Sequence, residues 1–163
     1  MPRVLLLTAL ALAVFAQQET RPTLAPQQPL PFSHKTHVAA GLKCQECHPH
    51  PDPGDHMTLP ATERCMVCHS TIATDRPAIR KLAEFANAKK PIPWARVYSV
   101  PAEVYWSHRS HLKAGLECEA CHGQVSRMDA LVRATNVATM EGCVTCHREK
   151  EAGTGCGFCH EER

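Results

Sequence analysis

Aromatic residues make up only 5% of the 163 positions, so a core built mainly on Phe, Tyr and Trp is excluded. The longest apolar run, Val4 to Ala16, counts 13 residues, short of the roughly 20 that cross a bilayer as a helix. Elsewhere the apolar residues fall in short clusters rather than sustained periodic stretches. No Ser-His-Asp set, glycine-rich phosphate loop or carboxylate pair can be argued from spacing, which removes the commonest hydrolytic and nucleotide-dependent chemistries. The formal charge is +2, from 18 Lys and Arg against 16 Asp and Glu, and gives no ground for a nucleic-acid partner.

Cysteine and histidine, by contrast, are abundant, with ten and eleven copies. No cysteine falls outside one pattern. Cys44-Gln45-Glu46-Cys47-His48 is the first copy, Cys65-Met66-Val67-Cys68-His69 the second and Cys118-Glu119-Ala120-Cys121-His122 the third. Cys143-Val144-Thr145-Cys146-His147 and Cys156-Gly157-Phe158-Cys159-His160 complete the set. C-x-x-C-H is the attachment sequence of c-type haem. Its two thiols form thioethers with the vinyl groups, and the next imidazole reaches the iron. The short spacing lets one turn span a porphyrin edge and place a nitrogen under the metal.

Zinc sites also use C-x-x-C, but they combine two such pairs into a closed tetrahedral shell. Five pairs do not divide into such shells, and zinc gives no reason for a histidine after every second cysteine. Disulfides in an exported chain leave the same five histidines unexplained. The expectation is therefore five covalently bound haems, with porphyrin faces supplying most of the buried apolar surface. Without them the chain should be largely unfolded, as in other proteins whose folding is coupled to a bound centre. Haem propionates would also make the loaded protein more acidic than its formal charge.

The first 16 residues have the layout of a secretory signal peptide: Pro2-Arg3, the apolar run, then Val14-Phe15-Ala16 before Gln17. The periplasm is the expected location, with no membrane-spanning segment after cleavage. Residues 17–31 form a Pro- and Gln-rich lead, expected to be extended and mobile.

An internal repeat follows. Phe32-Ser33-His34-Lys35-Thr36-His37 precedes Gly41-Leu42-Lys43-Cys44, and Trp106-Ser107-His108-Arg109-Ser110-His111 precedes Gly115-Leu116-Glu117-Cys118. The chain thus divides into a two-motif module (32–73), a helix and proline-rich connector (74–101) and a three-motif module (102–163). In the connector, Asp75 to Lys90 reads as a helix: Asp75 can cap it, Pro77 suits its first turn, and Ile79, Leu82, Ala83 and Ala86 form its apolar face. Pro91 stops it, and Pro91 to Pro101 is too proline-rich for a central strand. The fold class expected is mainly α with extensive loops, duplicated haem modules and little or no β-sheet.

Five irons need ten axial ligands if each is six-coordinate. His48, His69, His122, His147 and His160 supply five. His34, His37, His108 and His111 are the best further candidates, because residues at i and i+3 project from one face of a helical turn. His50 and His56 remain as loop residues or spare ligands.

The Phe32 to His37 stretch with the C-x-x-C-H motif that follows resembles the opening of class III cytochromes c. The five-motif layout, with Ile92-Pro93-Trp94 and Val104 to His108 between modules, is similar to the pentahaem cytochrome subunit of alternative complex III, a quinol-oxidising respiratory complex. The resemblance implies that His34 pairs with His48, His37 with His69, His108 with His122 and His111 with His147. In trihaem relatives the last distal ligand lies just before the middle motif. The corresponding stretch here, Ala138 to Cys143, offers Met140, so a Met140/His160 iron is expected, with His50 or His56 as substitutes and Met128 a weaker candidate. Methionine raises the potential relative to bis-histidine.

An electron carrier with redox-protein partners, such as a membrane quinol-linked complex, is favoured over an enzyme. Ligands suffice to saturate all five irons, and no motif replaces its histidine by lysine. A multihaem reductase with one open site and a unit of a cytochrome filament are the alternatives. Oligomeric state is not legible in the sequence.

Overall fold

The computed structural model describes residues 25–49, 57–133 and 135–160. The leader expected over 1–16, together with His50 and His56, lies outside them. The described residues are helical or irregular and include no strand. In chain order they form α1 (His34–Ala39), α2 (Cys44–Cys47), α3 (Thr62–His69), α4 (Pro77–Asn87), α5 (His108–Lys113), α6 (Cys118–His122), a 3-10 turn (Val125–Arg127), α7 (Met140–Glu149) and α8 (Cys156–Cys159). None of the described helices is long and apolar enough to cross a membrane.

The repeated sequence makes a repeated backbone. Ser33 caps α1 by accepting the Thr36 amide at 3.1 Å, and Ser107 stands at the same place before α5. Each helix closes at a glycine with positive φ, 91° at Gly41 and 80° at Gly115, where a β-carbon would be strained. The next amides fold back onto the helices: Leu42 donates to the His37 carbonyl at 3.3 Å and Leu116 to the His111 carbonyl at 3.2 Å. Each turn leads the chain straight into a C-x-x-C-H segment, and all five such segments are helical.

Only one conventional core exists among the described residues. Leu30, Leu82 and Ile92 are buried together, with Cys65, Met66, Ile79, Phe85 and Trp94 packed against them. α3 and α4 meet here. Thr62, at the start of α3, is itself buried and donates its hydroxyl to the Lys90 carbonyl at 3.0 Å. Leu82→Ala should lower the stability of the holoprotein by about 2–5 kcal/mol through lost transfer and cavity formation, read as an earlier denaturation midpoint.

Two expectations about this region are adjusted. The connector helix runs over 77–87 rather than 75–90, with Arg76 rather than Asp75 at its N-cap. Asp75 instead offers its backbone carbonyl to the Arg80 side chain. At the other end Lys89 takes a φ of 51°, which unwinds the chain before Pro91. The lead, expected to be mobile as far as residue 31, is fastened at its described end. Leu30 is in the core, Gln28 exchanges hydrogen bonds of 2.8 and 2.9 Å with the Ala95 backbone, and Lys81 donates to the Pro29 carbonyl.

Residues distant in the chain also touch. α1 packs on the 3-10 turn that follows α6. The Lys35 amide donates to the Met128 carbonyl at 3.0 Å, and Ser33 donates its hydroxyl to Asp129 at 2.9 Å.

Candidate functional site

α1 and α5 each present two imidazoles, and each imidazole meets that of a C-x-x-C-H motif. The ring centroids of His34 and His48 are 6.3 Å apart and 16° from parallel. Those of His108 and His122 are 6.3 Å apart at 13°. His37 and His69 lie 6.1 Å apart at 68°, and His111 and His147 6.1 Å apart at 43°. With a metal–nitrogen bond of about 2 Å, two imidazoles on opposite sides of one metal have centroids about 6.2 Å apart. The four pairs have that separation. It is too wide for direct ring contact and suits one metal atom between two nitrogens.

Hydrogen bonds orient the rings. Nδ1 of His37 lies 2.7 Å from the Ser33 carbonyl, and Nδ1 of His111 lies 2.8 Å from that of Ser107. The motif histidines are held alike: His48 by Thr58 O at 2.8 Å, His69 by Ile72 O at 3.0 Å and His147 by Gly153 O at 2.7 Å. A carbonyl only accepts, so each of these Nδ1 atoms carries a proton, and in the neutral ring Nε2 then holds the lone pair that binds a metal.

Aromatic rings fix the other faces. Phe32 stacks on His37 at 4.4 Å and meets His34 edge-on at 4.9 Å. Trp106 repeats the arrangement, stacked on His111 at 5.6 Å and edge-on to His108 at 4.2 Å. Tyr98 meets His122 edge-on at 4.9 Å. The role of these aromatics was not read from the sequence, although Phe32 and Trp106 stand at matched places in the repeat.

Burial keeps key imidazoles neutral, the form that binds metal. It is the main reason that the His34 pKa falls to about 4, helped by His48 and then His37. His122 is lowered by burial and then by His48. The thiols shift upward, again chiefly by burial. For each, a cysteine of another motif is the next cause: Cys47 for Cys65, Cys44 for Cys118, Cys146 for Cys121 and Cys159 for Cys143. None of the ten cysteines is in a disulfide.

Met140 opens α7 and is 76% exposed. Cys143, one turn further on, neighbours Cys159 of the last motif. Met128 lends its carbonyl to the module junction.

The family description "Class III cytochrome C family" matches residues 11–92, about half of the chain. The chain belongs to the class III cytochrome c family. A second description, "Cytochrome c7 and related cytochrome c", matches residues 104–161 of this class III cytochrome. No curated protein matches it. Members of these families hold haem c covalently, and this chain is a multihaem c-type cytochrome. The donors present fit that group: paired thiols beside a histidine, and imidazoles paired two by two at the separation one metal atom needs. Among the described residues no three His, Cys, Asp or Glu side chains gather into a shell for a bare metal ion.

Proposed function

We propose that this class III cytochrome is a periplasmic pentahaem electron-transfer protein, linking a membrane quinol-linked donor to a downstream acceptor. The observation that carries this is the set of four imidazole pairs at 6.1–6.3 Å, which leaves no room for substrate between the rings. When bound, haem c supplies a one-electron ferric/ferrous couple. The chain's part would be to hold each group through two cysteine sulfurs and two further donors. His34 and His48, His37 and His69, His108 and His122, and His111 and His147 form four such donor sets.

The fifth set is His160 with Met140. Methionine weakens the preference for the ferric state, so this site would be the highest in potential. The resemblance to the pentahaem subunit of a quinol-oxidising complex supports a membrane-linked donor.

The test is haem content together with low-temperature EPR of the oxidised holoprotein. Five haems, all low-spin, are expected; one high-spin haem per chain would move the reading to a reductase with an open site. Met140→Ala should convert one haem to high-spin and remove the highest-potential step from the redox titration. An unchanged spectrum would pass the ligand role to His50 or His56.

A further inference from the structure

We infer that the five C-x-x-C-H motifs lie in single file in the spatial order second, first, third, fourth, fifth, and that the two modules meet through the first and third. The inference rests on the five-haem reading above and adds to it which sites are neighbours and which are ends.

Each link has its own observations. The first and second motifs share α1, whose His34 and His37 face His48 and His69 respectively. Arg64 of α3 pairs with Glu46 of α2 at 3.3 Å, and Cys65 neighbours Cys47. The third and fourth motifs share α5 in the same way, through His108 facing His122 and His111 facing His147. The fourth and fifth are joined where the His147 and Phe158 rings meet at 6.1 Å.

The junction is the informative link. Chain order would put the second motif next to the third, but α3 packs on α4, with Cys65 and Met66 of the second motif against the Leu82 core. α1 instead packs on the 3-10 turn immediately after the third motif. The Lys35 amide to Met128 carbonyl bond and the Ser33 to Asp129 bond fasten the contact, and Lys35 pairs with Asp129 at 3.5 Å. Beneath this seam Cys118 neighbours Cys44, and His122 neighbours His48.

The second and fifth motifs are left at the ends. Their inner residues differ in kind from those at the junction. Val67 and Phe158 are exposed apolar side chains, whereas the first and third motifs carry Gln45, Glu46 and Glu119.

The order can be read from proton NMR of the fully reduced wild-type holoprotein, in which low-spin ferrous haems are diamagnetic. Each haem is assigned through contacts with its own thioether cysteines. Cross-relaxation peaks between haem substituents are expected for the first and second motifs, first and third, third and fourth, and fourth and fifth. None is expected between the second and third. Peaks between the second and third, or none between the first and third, would overturn the order. A haem count below five on the same sample would instead overturn the pentahaem reading, with the order still legible among the groups attached.

Discussion

Produced without haem attachment, the chain should show no cooperative unfolding transition and should be digested rapidly by protease. Four apolar side chains, Leu30, Leu82, Ile92 and Val97, are buried among the described residues. Each contributes about 1.5–3 kcal/mol, while fixing the backbone of every ordered residue costs about 1–2 kcal/mol. The helices cannot make up the difference. Seven of the eight α-helices among the described residues have ten residues or fewer, and isolated helices below ~12–15 residues are marginal in water. The missing apolar surface must come from what the motifs hold, as in other domains whose binding energy is folding energy. Far-ultraviolet circular dichroism and limited proteolysis, comparing chain made with and without the attachment machinery, would test this. A cooperative melt of the haem-free chain would show that the small core suffices.

His34→Ala is expected to convert one haem, that of Cys44 and Cys47, from low-spin to high-spin, with the other four unchanged. His34 faces His48 across 6.3 Å, is neutral well below physiological pH, and has an Nδ1 that is buried without a hydrogen-bond partner. Its position therefore depends on the α1 backbone, on the Phe32 edge and, in the proposed site, on the iron. Alanine leaves a void with no other donor on that turn, since His37 faces His69. The companion His34→Met variant should stay low-spin and raise the potential of that one site, within the roughly 0.8 V span that axial ligands command. EPR and a spectroscopic redox titration of the two variants would report both effects. Retention of five low-spin haems in the alanine variant would remove His34 from the ligand set.

How much of this could be read beforehand depended on what fixes each feature. The attachment motifs were legible because covalent chemistry dictates both residue type and spacing. The His-x-x-His turns stood out because duplication repeats them at the same distance from the motif. The helical character of the described residues, with no strand among them, agrees with short apolar clusters interrupted by proline. Other features have no sequence code. The carbonyls of Thr58, Ile72 and Gly153 orient three motif imidazoles, and any residue there would offer a carbonyl. The left-handed turn at Lys89 is not one that lysine announces. Gln28 looked like part of a featureless lead until its amide met the Ala95 backbone. The seam between α1 and the turn after α6 depends on residues such as Ser33 and Asp129 that are far apart in the chain, so no local pattern foretells it.

The duplicated unit repeats an angle as well as a distance at its first imidazole pair. The planes are nearly parallel in His34/His48 and His108/His122, at 16° and 13°, crossed in His37/His69 at 68°, and tilted by 43° in His111/His147. An imidazole donates π density perpendicular to its own plane. Two parallel rings on one iron raise the same d orbital and split it from its partner, whereas crossed rings raise both more evenly. Under the proposed ligation the oxidised first and third sites would each keep their unpaired electron in a single orbital whose direction the protein sets. The second, with crossed rings, would spread it over two. Along the inferred file the sequence is crossed, parallel, parallel, tilted, so the two sites with a fixed orbital direction would face each other across the seam between α1 and the turn after α6.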